Sequence, residues 1–135
     1  MPRKSPSQHF VGRVGDLAFD FQRLPFAPLP SASGWKPAVD LYAFEDRFEL
    51  WVDLAGVEKQ SIEVEAFPNR VRVSGERHPP VVCRGGDDRC RQVLVLEIES
   101  GRFGRDITLP QEINRDRVTA EQINGLLRIK LPFAN

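Results

Sequence analysis

The chain has 135 residues, the length of one domain, and that length can bury roughly two-thirds of its unfolded surface. Nineteen Lys and Arg balance nineteen Asp and Glu, which argues against an electrostatically driven nucleic-acid binder. With 41% hydrophobic and 28% charged residues, the chain is neither wholly disordered nor fibrous. Uncharged apolar runs are only a few residues long, so no membrane span is expected. No apolar stretch follows the basic start at Arg3 and Lys4, so no secretory signal is expected either. The expected location is the cytoplasm, where cysteines stay reduced.

Residues 1–34 concentrate proline and phenylalanine. Pro25, Pro28 and Pro30 interrupt regular structure, while Phe10, Phe19, Phe21 and Phe26 make the segment adhesive. A plain linker would be polar. Two readings stand: a tail that folds back on its own domain, or a flexible arm that contacts other chains or unfolded proteins. Residues 16–22 could form one short amphipathic helical stretch.

From residue 39 onward the pattern is strand after strand. Phe48, Leu50, Val52 and Leu54 alternate with Glu49, Trp51 and Asp53. Ile62, Val64 and Ala66 alternate with Glu63 and Glu65, and Val71 and Val73 alternate with Arg70 and Arg72. Near the end Leu127, Ile129 and Leu131 alternate with Arg128 and Lys130. A period of two with one polar face is the half-buried antiparallel pattern. Glu63, Glu65, Arg70 and Arg72 then read as solvated surface. Residues 93–96 (Val-Leu-Val-Leu) are apolar on both faces, so a neighbouring sheet or another chain must shield them. Turn signals separate the strands, Asn124-Gly125 being the best hairpin signal. Many short strands at short spacing predict an all-β sandwich or barrel.

Six motifs in order carry a family resemblance. They are Trp35-x-Pro37-x-Val39-Asp40-Leu41-Tyr42; Val52-Asp53-Leu54-Ala55-Gly56-Val57 with Ile62-Glu63-Val64; Val73-Ser74-Gly75-Glu76-Arg77; Gly101-x-Phe103-x-Arg105 leading to Leu109-Pro110; Ala120-x-x-x-Asn124-Gly125-Leu126-Leu127; and Ile129-Lys130-Leu131-Pro132. Together they resemble the α-crystallin domain of small heat-shock proteins of the bacterial and plant type. The resemblance implies an immunoglobulin-like β-sandwich over 35–132, after an arm of 1–34 and before a vestigial tail of 133–135. It also implies a homodimer, or a higher oligomer held through the arm, that binds unfolding client proteins without ATP or any cofactor. The dimer would form by exchange of a strand in the segment 76–98, with Val93, Leu94, Val95 and Leu96 and the charged Arg105 at the interface. Ile62, Val64, Ala66, Val118 and Ala120 would form a hydrophobic edge groove; the bland alternative is that they face the core, since alternation does not say which face is inside. Arg105 is in phase with Phe103, Ile107 and Leu109, so it must be paired or reach solvent at a sheet edge.

The sequence departs from that family in three places. No tail motif follows residue 132; Ile129-x-Leu131 mimics one but reads as core. Ile98 stands where relatives carry Arg. The loop holds Cys83 and Cys90, read either as free thiols or as a redox pair whose thiolates Arg84, Arg89 and Arg91 would favour. A metal site from His78, Cys83, Cys90 and Asp87 or Asp88 matches no zinc spacing, so no metal is expected. His9 and His78 are the two histidines, nothing orients a Cys83–His78 dyad, and no phosphate-binding glycine loop occurs. No catalytic residue is assigned, and no nucleic-acid or membrane partner is expected. A dimeric adaptor of the same fold with one dedicated partner, similar to the CS-domain co-chaperones, remains the alternative.

Overall fold

Alternation divides each strand into an apolar and a polar side, and two antiparallel sheets pack their apolar sides together. A computed structural model describes residues 8–13, 22–25, 34–80 and 90–135. Its strands are β1 (Gln8–Arg13), β2 (Gln22–Pro25), β3 (Val39–Ala43), β4 (Arg47–Asp53), β5 (Glu63–Phe67), β6 (Arg70–Arg77), β7 (Gly101–Thr108), β8 (Thr119–Ile123) and β9 (Leu126–Pro132). One sheet runs β2-β1-β5-β6-β7 and the other β3-β4-β9-β8. The result is an immunoglobulin-like sandwich. Among the described residues, the helical elements are single 3-10 turns at Lys59–Ser61 and Arg115–Arg117. No described helix is long and apolar enough to cross a membrane.

The core is built from facing pairs. Phe48, Leu50 and Val52 of β4 stand opposite Leu131, Ile129 and Leu127 of β9. In the other sheet Val64 and Ala66 of β5 stand opposite Val73 and Val71 of β6. All ten are buried, and with Leu54, Ile62 and Phe103 they fill the space between the sheets. Burial at about 25 cal/mol per Å² drives this assembly. Ile129 and Leu131 are therefore core residues on β9, as their alternation predicts.

Two glycine positions show why side chains are excluded locally. Asn124 and Gly125 close the β8–β9 hairpin with φ of 50° and 83°, the pair of positive values a two-residue turn of this hand requires. At Gly75 a Cβ would stand 2.5 Å from the Ser61 carbonyl oxygen and 2.7 Å from Phe103 Cζ. The crossing of β6 over that turn depends on having no side chain there.

Of the two readings of residues 1–34, β1 and β2 fit the tail that folds back on its own domain. Residues 8–13 contain no proline, so every amide there can donate to a ladder. β1 pairs with β5, Phe10 opposite Ala66 through Arg13 opposite Glu63, and β2 pairs back onto β1. β2 is the outer strand and ends at Pro25, where a missing amide is tolerated. Phe10 lies on β1, whereas Phe19, Phe21 and Phe26 lie outside the described residues. The helical stretch expected over 16–22 lies outside them too, apart from Gln22, which opens β2.

Candidate functional site

The four-stranded sheet ends at β3, which has β4 on one side and no strand among the described residues on the other. Leu41, Tyr42 and Phe44 are exposed along that edge. An unpaired edge with apolar side chains is a template for an added strand.

Residues 93–96 are a second exposed apolar element. Between β6 and β7 the described segment 90–100 forms no strand, and Val93, Leu94, Val95 and Leu96 are 53–82% exposed. Ile98 is exposed as well. Of the two shields the alternation allowed, a neighbouring sheet of the same chain is not used among the described residues. The run borders a groove of about 410 Å³ with Pro79, Pro80 and Cys90 on its wall.

The base of this segment is tied firmly. The Arg77 guanidinium lies 4.0 Å from the Trp35 ring centroid. Its Nε donates to the Glu99 carbonyl at 2.8 Å and its Nη1 to the Ala55 carbonyl at 3.0 Å. Trp35 packs on Phe103 with ring centroids 5.1 Å apart, and its Nε1 donates to the Gly101 carbonyl at 3.1 Å. Arg77 thus clamps the end of β6 to the residues just before β7, so the segment between leaves from a fixed base. Charge-assisted bonds of this kind are the stronger ones. Sequence reasoning passed over Arg77; its signal is a cation placed two residues after the obligatory Gly75.

Arg105 sits on the inner face of β7, opposite Val73, and is half-buried. Its Nη1 donates to the Pro37 carbonyl at 2.8 Å, the residue that leads into β3. Among the described residues no carboxylate lies within ion-pair distance of it. Arg105 reaches out of the core at the end of the sandwich that carries the open edge.

Ile62, Val64, Ala66 and Val118 are buried, and half-buried Ala120 packs against the same cluster. As placed in this chain, these five are core residues rather than the lining of an open groove. Their side chains pack in the cluster between the two sheets, and that packing buries them.

The outer faces correct a second expectation. Glu65 and Arg72 are not solvated: they are 4% and 9% exposed. With β1 added, β5 becomes an interior strand, and Glu65 is flanked by Val11 on one side and Arg72 on the other. Arg72 also donates to Asp106 Oδ2 at 3.1 Å. Burial pushes the Glu65 carboxyl above the usual range, opposed by Arg72 and assisted by the charges of Glu63 and Asp106.

Cys90 is exposed, and Cys83 lies outside the described residues. Among the described residues no three His, Cys, Asp or Glu side chains gather as a metal site.

Comparison with known proteins agrees with this architecture. Residues 40–135 match the model of the Hsp20/alpha crystallin family. The chain is similar to Heat shock protein 16 of Schizosaccharomyces pombe, 32% identical over 128 residues that span 91% of this chain and 85% of that one. Among solved structures it is similar to Heat shock protein 16.0 from Schizosaccharomyces pombe, with a TM-score of 0.64 and 29% identity over 75% of this chain and 89% of that one. It is also similar to a small heat-shock protein from Xylella fastidiosa described as having a distinct high order structure, with a TM-score of 0.64 and 27% identity over 76% of this chain and 90% of that one. With its two-sheet sandwich and this match over most of its length, the chain belongs to the Hsp20/alpha crystallin family of small heat shock proteins, whose members support a chaperone role.

Proposed function

We propose that this chain is a cytoplasmic, ATP-independent chaperone that acts as a homodimer and holds unfolding proteins apart without a cofactor. One observation carries the reading: an exposed apolar run at 93–96 in a chain whose β3 edge is open. Four exposed aliphatic side chains are unfavourable in water at about 25 cal/mol per Å². An unpaired edge offers amides and carbonyls to any extended segment. A second copy supplies a run for each edge and an edge for each run, which closes a two-fold dimer. Arg105, held by Pro37 beside β3, belongs to the same interface in this reading.

Client binding uses the arm and the edge it covers. The phenylalanines at 10, 19, 21 and 26 compete for exposed segments of unfolding proteins, and Ile62, Val64, Ala66, Val118 and Ala120, packed in the core of the single chain, join them only when the β5 edge is uncovered. Apolar burial is indifferent to client identity, which suits a promiscuous holder.

The test pairs two measurements: heat-induced scattering of a model client without ATP, and the mass of the protein by multi-angle light scattering. The expected result is a dimer or larger assembly that suppresses scattering at near-stoichiometric ratios. A monomer without suppression overturns the reading. A stable dimer without suppression favours the dedicated-partner adaptor, for which the interior placement of Ile62, Val64 and Ala66 already speaks.

A further inference from the structure

The outer face of the β3-β4-β9-β8 sheet repeats one arrangement: an aromatic ring, an arginine over it and a carboxylate on that arginine. Arg47 lies 4.3 Å from the Phe44 ring centroid, and its Nε and Nη2 donate to Glu49 Oε2 at 3.0 and 2.7 Å. Arg128 lies 5.6 Å from the Trp51 ring centroid and is ion-paired with Glu121. The third aromatic of the face is Tyr42, whose hydroxyl donates to Asp40 Oδ2 at 3.3 Å. Here ring and carboxylate are present and the cation is missing. Among the described residues none carries a guanidinium over the Tyr42 ring or an ion pair to Asp40. Asp40 and Tyr42 are both exposed, and with Trp51 and Leu126 they line a groove of about 380 Å³.

We infer that Arg91 of a second copy of this chain fills the Asp40–Tyr42 site, its guanidinium on the ring and against the carboxylate. The inference rests on the homodimer proposed above and names a contact that orients it. Asp40 and Tyr42 lie on β3, the open edge. Arg91 is exposed two residues before the apolar run, and an extended run would put it on the same side as Val93 and Val95. With the run extended along β3, Arg91 stands about 7 Å before Val93, a span that its long side chain covers. A guanidinium between an aromatic face and a carboxylate is favoured twice, by the ring quadrupole and by charge.

Tyr42 reports on its own site. It is the only tyrosine of the chain, and the charge of Asp40 raises its hydroxyl above the ordinary phenol range. A docked cation opposes that charge and lowers the titration again.

The test is a double-mutant cycle on the full chain at low salt, read as the dimer dissociation constant by sedimentation. Arg91→Gln and Asp40→Asn are each expected to weaken the dimer about fivefold, and the double variant no more than either alone. Tyrosine absorbance is expected to titrate at higher pH in Arg91→Gln than in the unchanged protein. A wild-type dimer with additive losses, or Arg91→Gln with unchanged dissociation and titration, overturns this contact and leaves the homodimer standing. An equal loss in Arg89→Gln also overturns it, since that would be general charge steering. A wild-type chain that stays monomeric overturns the contact and the homodimer together.

Discussion

Glu65 and Glu63 occupy the same phase of one short strand, yet their environments differ. Glu63 is half-buried and faces Ser74, while Glu65 lies between β1 and Arg72 and is almost fully buried. Its carboxyl is raised above the usual range chiefly by that burial. The folded chain therefore holds the Glu65 proton more tightly than the unfolded chain does. The stabilisation from that proton is complete below the unfolded value, about pH 4, and is lost as pH rises through the raised folded value. Glu65→Gln keeps the shape and removes the charge. It is expected to raise the thermal midpoint at pH 7 by roughly 2–5 °C, with the advantage vanishing as the pH is lowered toward 4. Calorimetry across that range decides it: an advantage independent of pH, or a loss at pH 7, would show that the charged form is the one the fold favours.

At the scale of elements, most of the sandwich was legible. Strands β4, β5, β6 and β9 fall where alternation of one apolar and one polar side predicts them, and Asn124-Gly125 marks the β8–β9 turn. What alternation cannot carry is the choice of the inner face. The phase of Ile62, Val64 and Ala66 was plain, but their place in the core depends on which sheet lies opposite. Strands β1 and β2 were illegible for another reason: a proline-rich stretch hides short runs whose prolines are absent or terminal, and β1 pairs because β5 offers it an edge. The run 93–96 was legible as apolar on both sides, and among the described residues no strand covers it. This gives a sharp contrast between elements. Leu94→Asp with Leu96→Asp replaces exposed side chains, so the fold of one chain is expected to keep its circular dichroism. The same pair is expected to lower the mass from dimer to monomer at micromolar concentration, because a desolvated charge at an interface costs several kcal/mol. An unchanged mass would place self-association on another surface.

At the scale of the whole molecule, the two sheets manage their edges differently. Among the described residues β3 ends one sheet without a further strand, whereas β5 is covered by the chain's own β1. Net charge of zero gives little protection against association, so how an edge is covered governs what the protein sticks to. Val11 lies at the centre of the cover, opposite Glu65 on one side and Gln22 on the other. Because β1 is flanked by β5 and β2, its amides donate to one or the other, and proline there removes a donor and adds a clash. In Val11→Pro the β5 amides at 63–67 are expected to exchange roughly tenfold faster, equivalent to about 1.4 kcal/mol of lost protection. The β4–β9 ladder should keep its protection, since it lies in the other sheet. If clients use the uncovered β5 edge, the same variant suppresses client aggregation at a lower molar ratio than the unchanged protein. Faster exchange with unchanged suppression would exclude that edge as a client site and leave the arm as the binder. Unchanged exchange would mean that β1 contributes nothing to closing the sheet.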